Sequence, residues 1–158
     1  KRYLNKRTWE MDVSTQGWRY HMSNIMAAIG IEQLKRFKEL SSKRQKLAKL
    51  YDDLFSKIPE IRLLPNNYSE IVPHIYPIIL GGTNQRTELQ QKLKELGIET
   101  GIHYYPNHRL SLYKRTGISL PNVESVFSDL ISLPLHPDLS LDDVKYVASK
   151  VINELAKD

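Results

Sequence analysis

The chain has 158 residues, 41% of them apolar, which is enough for one domain with its own core. It contains no cysteine, so a disulfide framework and a zinc–thiolate site are excluded, and the composition fits a reducing cytosol. Lys and Arg outnumber Asp and Glu by 23 to 18, a net charge of +5 that raises nucleic acid or a phosphorylated small molecule as partners. The basic residues concentrate in 35–49, interleaved with Glu39 and leucines, which is the pattern of the solvated side of an amphipathic helix. Nucleic acid is therefore not expected as the main partner. No apolar run approaches the roughly 20 residues of a membrane span. No apolar stretch follows the basic first residues as a secretory signal would require. Residue 1 is lysine, which reads as a piece of something longer.

In chain order, residues 1–22 mix aromatics and charges without a period and read as an irregular arm. Ser23 is placed to cap a helix, its hydroxyl accepting from a free N–H of the first turn. Ile25, Ile29, Leu34, Phe37 and Leu40 follow at near-helical spacing. The phase loosens at Ser41 and Ser42, then resumes at Leu47, Leu50, Tyr51, Leu54 and Phe55 until Pro59. One long helix over 23–58, bent near Ser41, or two in succession, is predicted. Residues 74–80 are apolar and β-branched, closed by Gly81 and Gly82, hence a strand. Leu89, Leu93 and Leu96 make a helical stripe stopped by Gly97. Ile98, Thr100, Ile102 and Tyr104 alternate with Glu99, Gly101 and His103, which predicts a second strand. Val123, Val126, Phe127 and Leu130 predict another helix, and 132–135 a short third strand. Ser140 and Asp143 make a capping-box start for a last helix burying Val144, Val147, Val151 and Leu155. The predicted class is α+β: an arm over 1–22, a long helix over 23–58, and a small sheet covered by helices over 59–158.

Three clusters carry chemistry. Residues 17–24 precede a helix start, where backbone N–H groups and the helix dipole favour an anion; Arg19 and His21 add donors for a phosphate. An ordinary polar helix entry accounts for the same residues. His103, Tyr104, Tyr105 and His108 gather where a strand runs into a loop, and can line a pocket for a polyhydroxylated ligand or simply stand on a surface loop. In 132–137 the prolines fix a turn, and His136 is a ligand contact or, the preferred reading, simply a polar turn residue. No metal site is expected, since His103 and His108 lack an evident third ligand. No lysine sits in an obviously desolvated setting, and neither a phosphate loop nor a nucleophile elbow occurs.

Beyond these local readings, Gly17-x-x-Tyr20-x-Met22-Ser23-Asn24-x-x-Ala27-Ala28-Ile29-Gly30-x-x-Gln33-Leu34 resembles the helix signature of the DegT/StrS-type sugar-nucleotide aminotransferases. His74-x-Tyr76-Pro77-Ile78, Gly101-Ile102-His103-Tyr104-x-Pro106-x-His108 and Ser132-Leu133-Pro134-Leu135-His136-Pro137 resemble three later signatures in the same order. The resemblance implies the C-terminal small domain of a fold-type-I enzyme that uses pyridoxal phosphate (PLP). It also implies transfer of an amino group, from a donor such as glutamate, to a nucleotide-linked keto sugar for cell-surface polysaccharide or related glycan synthesis.

The same resemblance puts the catalytic lysine upstream of Gly17, so no catalytic residue is assigned here and the chain alone is expected to be inactive. It implies a cytoplasmic homodimer in which the 17–24 segment reaches the partner's cofactor phosphate, making Arg19 and His21 cofactor-binding. The commonest family pattern has Asn where Arg19 stands and Arg where His21 stands. His103, Tyr104 and His108 fall on the motif that lines the sugar-nucleotide side. Two other readings stay open: a relative in which histidine replaces the lysine and the sugar is dehydrated, and a non-catalytic basic interaction module that binds nucleic acid.

Overall fold

The computed structural model describes residues 15–18, 20–81, 85–114 and 117–156. Most of the predicted arm, Arg19 included, and Gly82 lie outside them. The chain divides into two compact units, residues 1–36 and 37–158. Helix α1, Asn24–Phe55, begins in the first and ends in the second. Ser23 caps it as expected, its Oγ accepting from Met26 N at 3.3 Å. The helix runs on through Ser41 and Ser42, whose hydroxyls donate to the carbonyls of Phe37 (2.6 Å) and Lys38 (2.9 Å). These hydroxyls satisfy themselves on the preceding turn, so the polar pair does not end the helix.

The second unit is α+β. Strands β1 (Ile61–Arg62), β2 (Tyr76–Leu80) and β3 (Leu130–Leu133) form one antiparallel sheet in that order. Ile61 stands opposite Leu80, and Ile78 opposite Ile131. Because β1 reaches only Ile79 and Leu80, β2 has an open edge at Pro77, where a residue without an N–H is tolerated. Helices α2 (Arg86–Glu95), α3 (Pro121–Asp129) and α4 (Leu141–Leu155) complete the unit. Gly97 stops α2 at φ +78°, a conformation that glycine adopts without strain. The Ser140–Asp143 capping box of α4 forms as predicted.

The core gathers Tyr51 and Phe55 from α1, Ile78 and Leu80 from β2, Leu93 from α2, Ile131 from β3, and Val144 and Val151 from α4. Each fully buried aliphatic side chain contributes roughly 1.5–3 kcal/mol. Tyr51 also stacks on Tyr76, centroids 4.6 Å apart. Polar groups on α1 fasten the loops beside the sheet: Arg44 donates to the carbonyls of His74 (3.3 Å) and Leu135 (2.9 Å), and Tyr51 OH to that of Pro134 (3.1 Å).

Several expectations are corrected. The alternation over 98–104 does not build a strand; it makes one bridge, Gly101 to Ser132, closed by two hydrogen bonds of 3.0 and 2.8 Å. Continuing that ladder would set Glu99 opposite Pro134, which has no N–H, and His103 opposite Leu130, which follows directly on α3. The third strand starts two residues earlier than predicted, so Leu130 belongs to β3 and not to a helical stripe. Val123 and Leu96, expected on buried stripes, are exposed. The two-residue β1 was not foreseen.

Candidate functional site

The segment that follows the Gly101 bridge carries the predicted sugar-side residues. A Cβ on Gly101 would stand 2.7 Å from His103 Cε1, so the missing side chain is what admits the imidazole. His103 and Tyr104, joined by a cis peptide bond, set their rings nearly perpendicular with centroids 4.9 Å apart. Pro106 then leads into a single 3₁₀ turn, Asn107–Arg109.

Helix α3 holds this turn. His108 Nε2 lies 3.0 Å from Glu124 Oε1, and Arg109 reaches the other carboxylate oxygen at 3.6 Å. The His108 side chain is only 11% exposed. Its hydrogen bond is the main reason the Glu124 carboxyl sits below the ordinary carboxylate value, with the Leu120 backbone adding to it. One turn along, Phe127 takes the edge of Tyr105 and the guanidinium groups of Arg86 and Arg109 at 4.9 and 5.6 Å. Arg86 also donates to the Phe127 carbonyl.

The three residues predicted for the sugar side therefore share a loop but not a pocket. His103 lines a cleft of about 310 Å³ with His74, Thr100, Ser132 and Pro134. Tyr104 lines a separate, mainly apolar cleft of about 320 Å³ with Pro106, Val123, Val126 and Phe127. His108 lines neither of these two; it is clasped by Glu124. In the first cleft, His103 Nδ1 and Ser132 Oγ are buried without a hydrogen-bond partner among the described residues. His136 is exposed, 4.0 Å from Asp138, in keeping with a polar turn residue.

Glu124 and Arg109 were missed in the sequence, and Ser132 was noted there only as the first residue of a motif. Glu124 reads there as an acidic residue in the first turn of a helix, and nothing in a 16-residue separation says that it meets His108.

In the first unit His21 is exposed, just ahead of the α1 N-terminus, between the exposed Tyr20 and Met22. The free N–H groups and dipole at a helix start favour an anion, so His21 stands in the chain near a place that fits a phosphate such as that of PLP. Ile25, Ile29 and Leu34 of α1 are exposed, as is Phe37 in the second unit. Among the described residues, no helix is long and apolar enough to cross a membrane, and no three His, Cys, Asp or Glu side chains converge as a metal site.

The model of the DegT/DnrJ/EryC1/StrS aminotransferase family matches residues 1–152. A Campylobacter jejuni relative, UDP-4-amino-4,6-dideoxy-N-acetyl-beta-L-altrosamine transaminase, is 32% identical over 98% of this chain and 42% of its own length. Helicobacter pylori PseC, an aminotransferase involved in the biosynthesis of pseudoaminic acid, superposes with a TM-score of 0.83 at 27% identity, over 98% of this chain and 43% of its own. Spr1654 of Streptococcus pneumoniae, assigned as a sugar aminotransferase and solved in its PLP form, superposes with a TM-score of 0.85 at 30% identity, over 95% and 40%. The chain thus spans about two-fifths of the length of these relatives. Its fold is the one those PLP fold-type-I sugar aminotransferases carry over the matched portion. With a family model matched over residues 1–152 of 158, this chain belongs to the DegT/DnrJ/EryC1/StrS aminotransferase family.

Proposed function

We propose that this chain serves as the C-terminal portion of a PLP-dependent transaminase that converts a nucleotide-linked keto sugar to the amino sugar, with an amino donor such as glutamate. The observation that carries this reading is family membership along nearly the whole chain, joined to a His103–His108 segment at the expected motif. When bound, PLP supplies the electron sink for the chemistry. The residues here bind and orient: His103, Tyr104 and His108 toward the sugar nucleotide, Arg19 and His21 toward the cofactor phosphate of a partner subunit. The exposed Ile25, Ile29 and Leu34 favour a second copy of the chain as the partner, giving a homodimer. Residues 1–22 then act as the tail of the large domain and 59–158 as the small domain, with synthesis of a cell-surface glycan in the cytoplasm as the setting. The chain spans about two-fifths of the length of its relatives, and alone it is expected to have no transaminase activity.

The test uses the full-length protein with PLP, glutamate and a UDP-linked 4-keto sugar, and amino-sugar formation is the expected result. His108→Ala should raise KM for the sugar several-fold, the span of a neutral hydrogen bond worth roughly 0.5–1.5 kcal/mol, and leave cofactor absorbance unchanged. Arg19→Ala should weaken cofactor retention. The inverse pattern would exchange the two assignments, and no effect from either would return both clusters to structural roles. A histidine in place of the upstream lysine would direct the reading to sugar dehydration instead.

A further inference from the structure

We infer that Glu124 is a positioning residue, which fixes His108 so that the ring meets a hydrogen-bond donor on the sugar and not the diphosphate; this rests on the reading of His108 as a sugar-nucleotide contact. An ionised carboxylate only accepts hydrogen bonds. At 3.0 Å from Glu124 Oε1, His108 Nε2 must therefore carry the proton and donate it. In the neutral form of the ring Nδ1 is then the acceptor, and no side chain or backbone group is bonded to it among the described residues. An acceptor at that place pairs with a hydroxyl or an amide N–H of a sugar. It would face phosphate oxygens lone pair to lone pair.

The clasp has geometry enough to hold this tautomer. The second Glu124 oxygen is engaged by Arg109 at 3.6 Å, and the Arg109 guanidinium itself lies 5.6 Å from the Phe127 ring centre. Both carboxylate oxygens are thus spoken for, which limits rotation of the group that takes the His108 proton. The imidazole is nearly buried while Arg109 and Glu124 are about one-third exposed. The pair ranks as an orienting device and not as a major source of stability.

The experiment measures dissociation constants of the full-length protein for two probes at pH 8: UDP-4-amino-4,6-dideoxy-N-acetyl-beta-L-altrosamine, and UDP alone. His108→Ala and Glu124→Ala should each weaken the sugar nucleotide roughly two- to tenfold, the span of one neutral hydrogen bond, and leave UDP unchanged. The double variant should be no weaker than either single one, since both remove the same contact. Glu124→Gln keeps the volume and an acceptor oxygen, and should recover most of the affinity even if the alanine variant loses its fold. A weakened His108→Ala with an unaffected Glu124→Ala would overturn the positioning role alone. An unaffected His108→Ala would overturn the sugar contact and the inference with it. Losses that multiply in the double variant, or that appear equally with UDP, would show Glu124 acting on the fold or on the diphosphate, and would also overturn it.

Discussion

Replacing Gly101 with alanine tests how the bridge and the candidate site are coupled. The added Cβ would sit 2.7 Å from His103 Cε1, a distance at which something must move. The backbone itself is no obstacle, since Gly101 is not among the glycines with positive φ. Overpacking costs about 1–3 kcal/mol. Here the obstructing atom belongs to a ring that can swing, so the lower part of that range applies. Loss of glycine's freedom in the unfolded chain returns about 0.4–1 kcal/mol. The net cost is then on the order of 1 kcal/mol, or roughly 2–4 °C in Tm for a chain of this size. Thermal unfolding followed by circular dichroism should show it. The decisive measurement repeats Gly101→Ala in a His103→Ala background. With the ring gone, the substitution should be neutral or stabilising, giving a coupling energy of about 1–2 kcal/mol. An equal cost in both backgrounds would refute the reasoning, because the penalty would then lie in the bridge and not in the imidazole.

Tyr51→Phe keeps the stacking on Tyr76 but strips the Pro134 carbonyl of its 3.1 Å donor, and should cost about 1–3 kcal/mol in urea denaturation. Ser140→Ala removes the hydroxyl that accepts from Asp143 N and should cost about 0.5–2 kcal/mol. The Asp143 carboxyl is held below its ordinary value, first by the Ser140 backbone N–H and then by the hydroxyl. Its stabilisation is therefore complete above the ordinary carboxylate value of about 3.9, and is lost as pH falls through the lowered folded value. The stability gap between wild type and Asp143→Asn, measured by urea titration, should accordingly be present at pH 7 and close under strong acid. The exposed apolar residues of α1 should make this chain self-associate, so sedimentation equilibrium should give an apparent mass that rises with concentration, and Ile29→Glu should reduce the rise.

How far the site was legible follows from the range of each interaction. The proximity of His103, Tyr104 and His108 is covalent, so their spacing sufficed to group them. Their division between two clefts and a carboxylate clasp depends on α3, whose Glu124 stands 16 residues beyond His108. The 98–104 alternation was a sound local signal for a strand, yet a strand needs a partner. Pro134 on one side and the end of α3 on the other leave only Ser132 to pair with. Conversely, the Ser41–Ser42 pair looked like a weak point in the helix and is not one, because each hydroxyl found its own i−4 carbonyl.

The sequence by itself determined what depends on a few neighbouring residues: the Ser23 cap, the Ser140–Asp143 capping box, the Gly97 stop, and the stripe of Val144, Val147, Val151 and Leu155 that α4 buries. Its ordered motifs also determined the family. Only the tertiary structure decided that Arg44 and Tyr51 of α1 would grip the His74 and Pro134–Leu135 loops, and that Glu124 would clasp His108. The physical reason is the reach of the forces. Caps and periodicity act within one or two turns, whereas a hydrogen bond between residues up to 91 positions apart exists only once the core between them has closed.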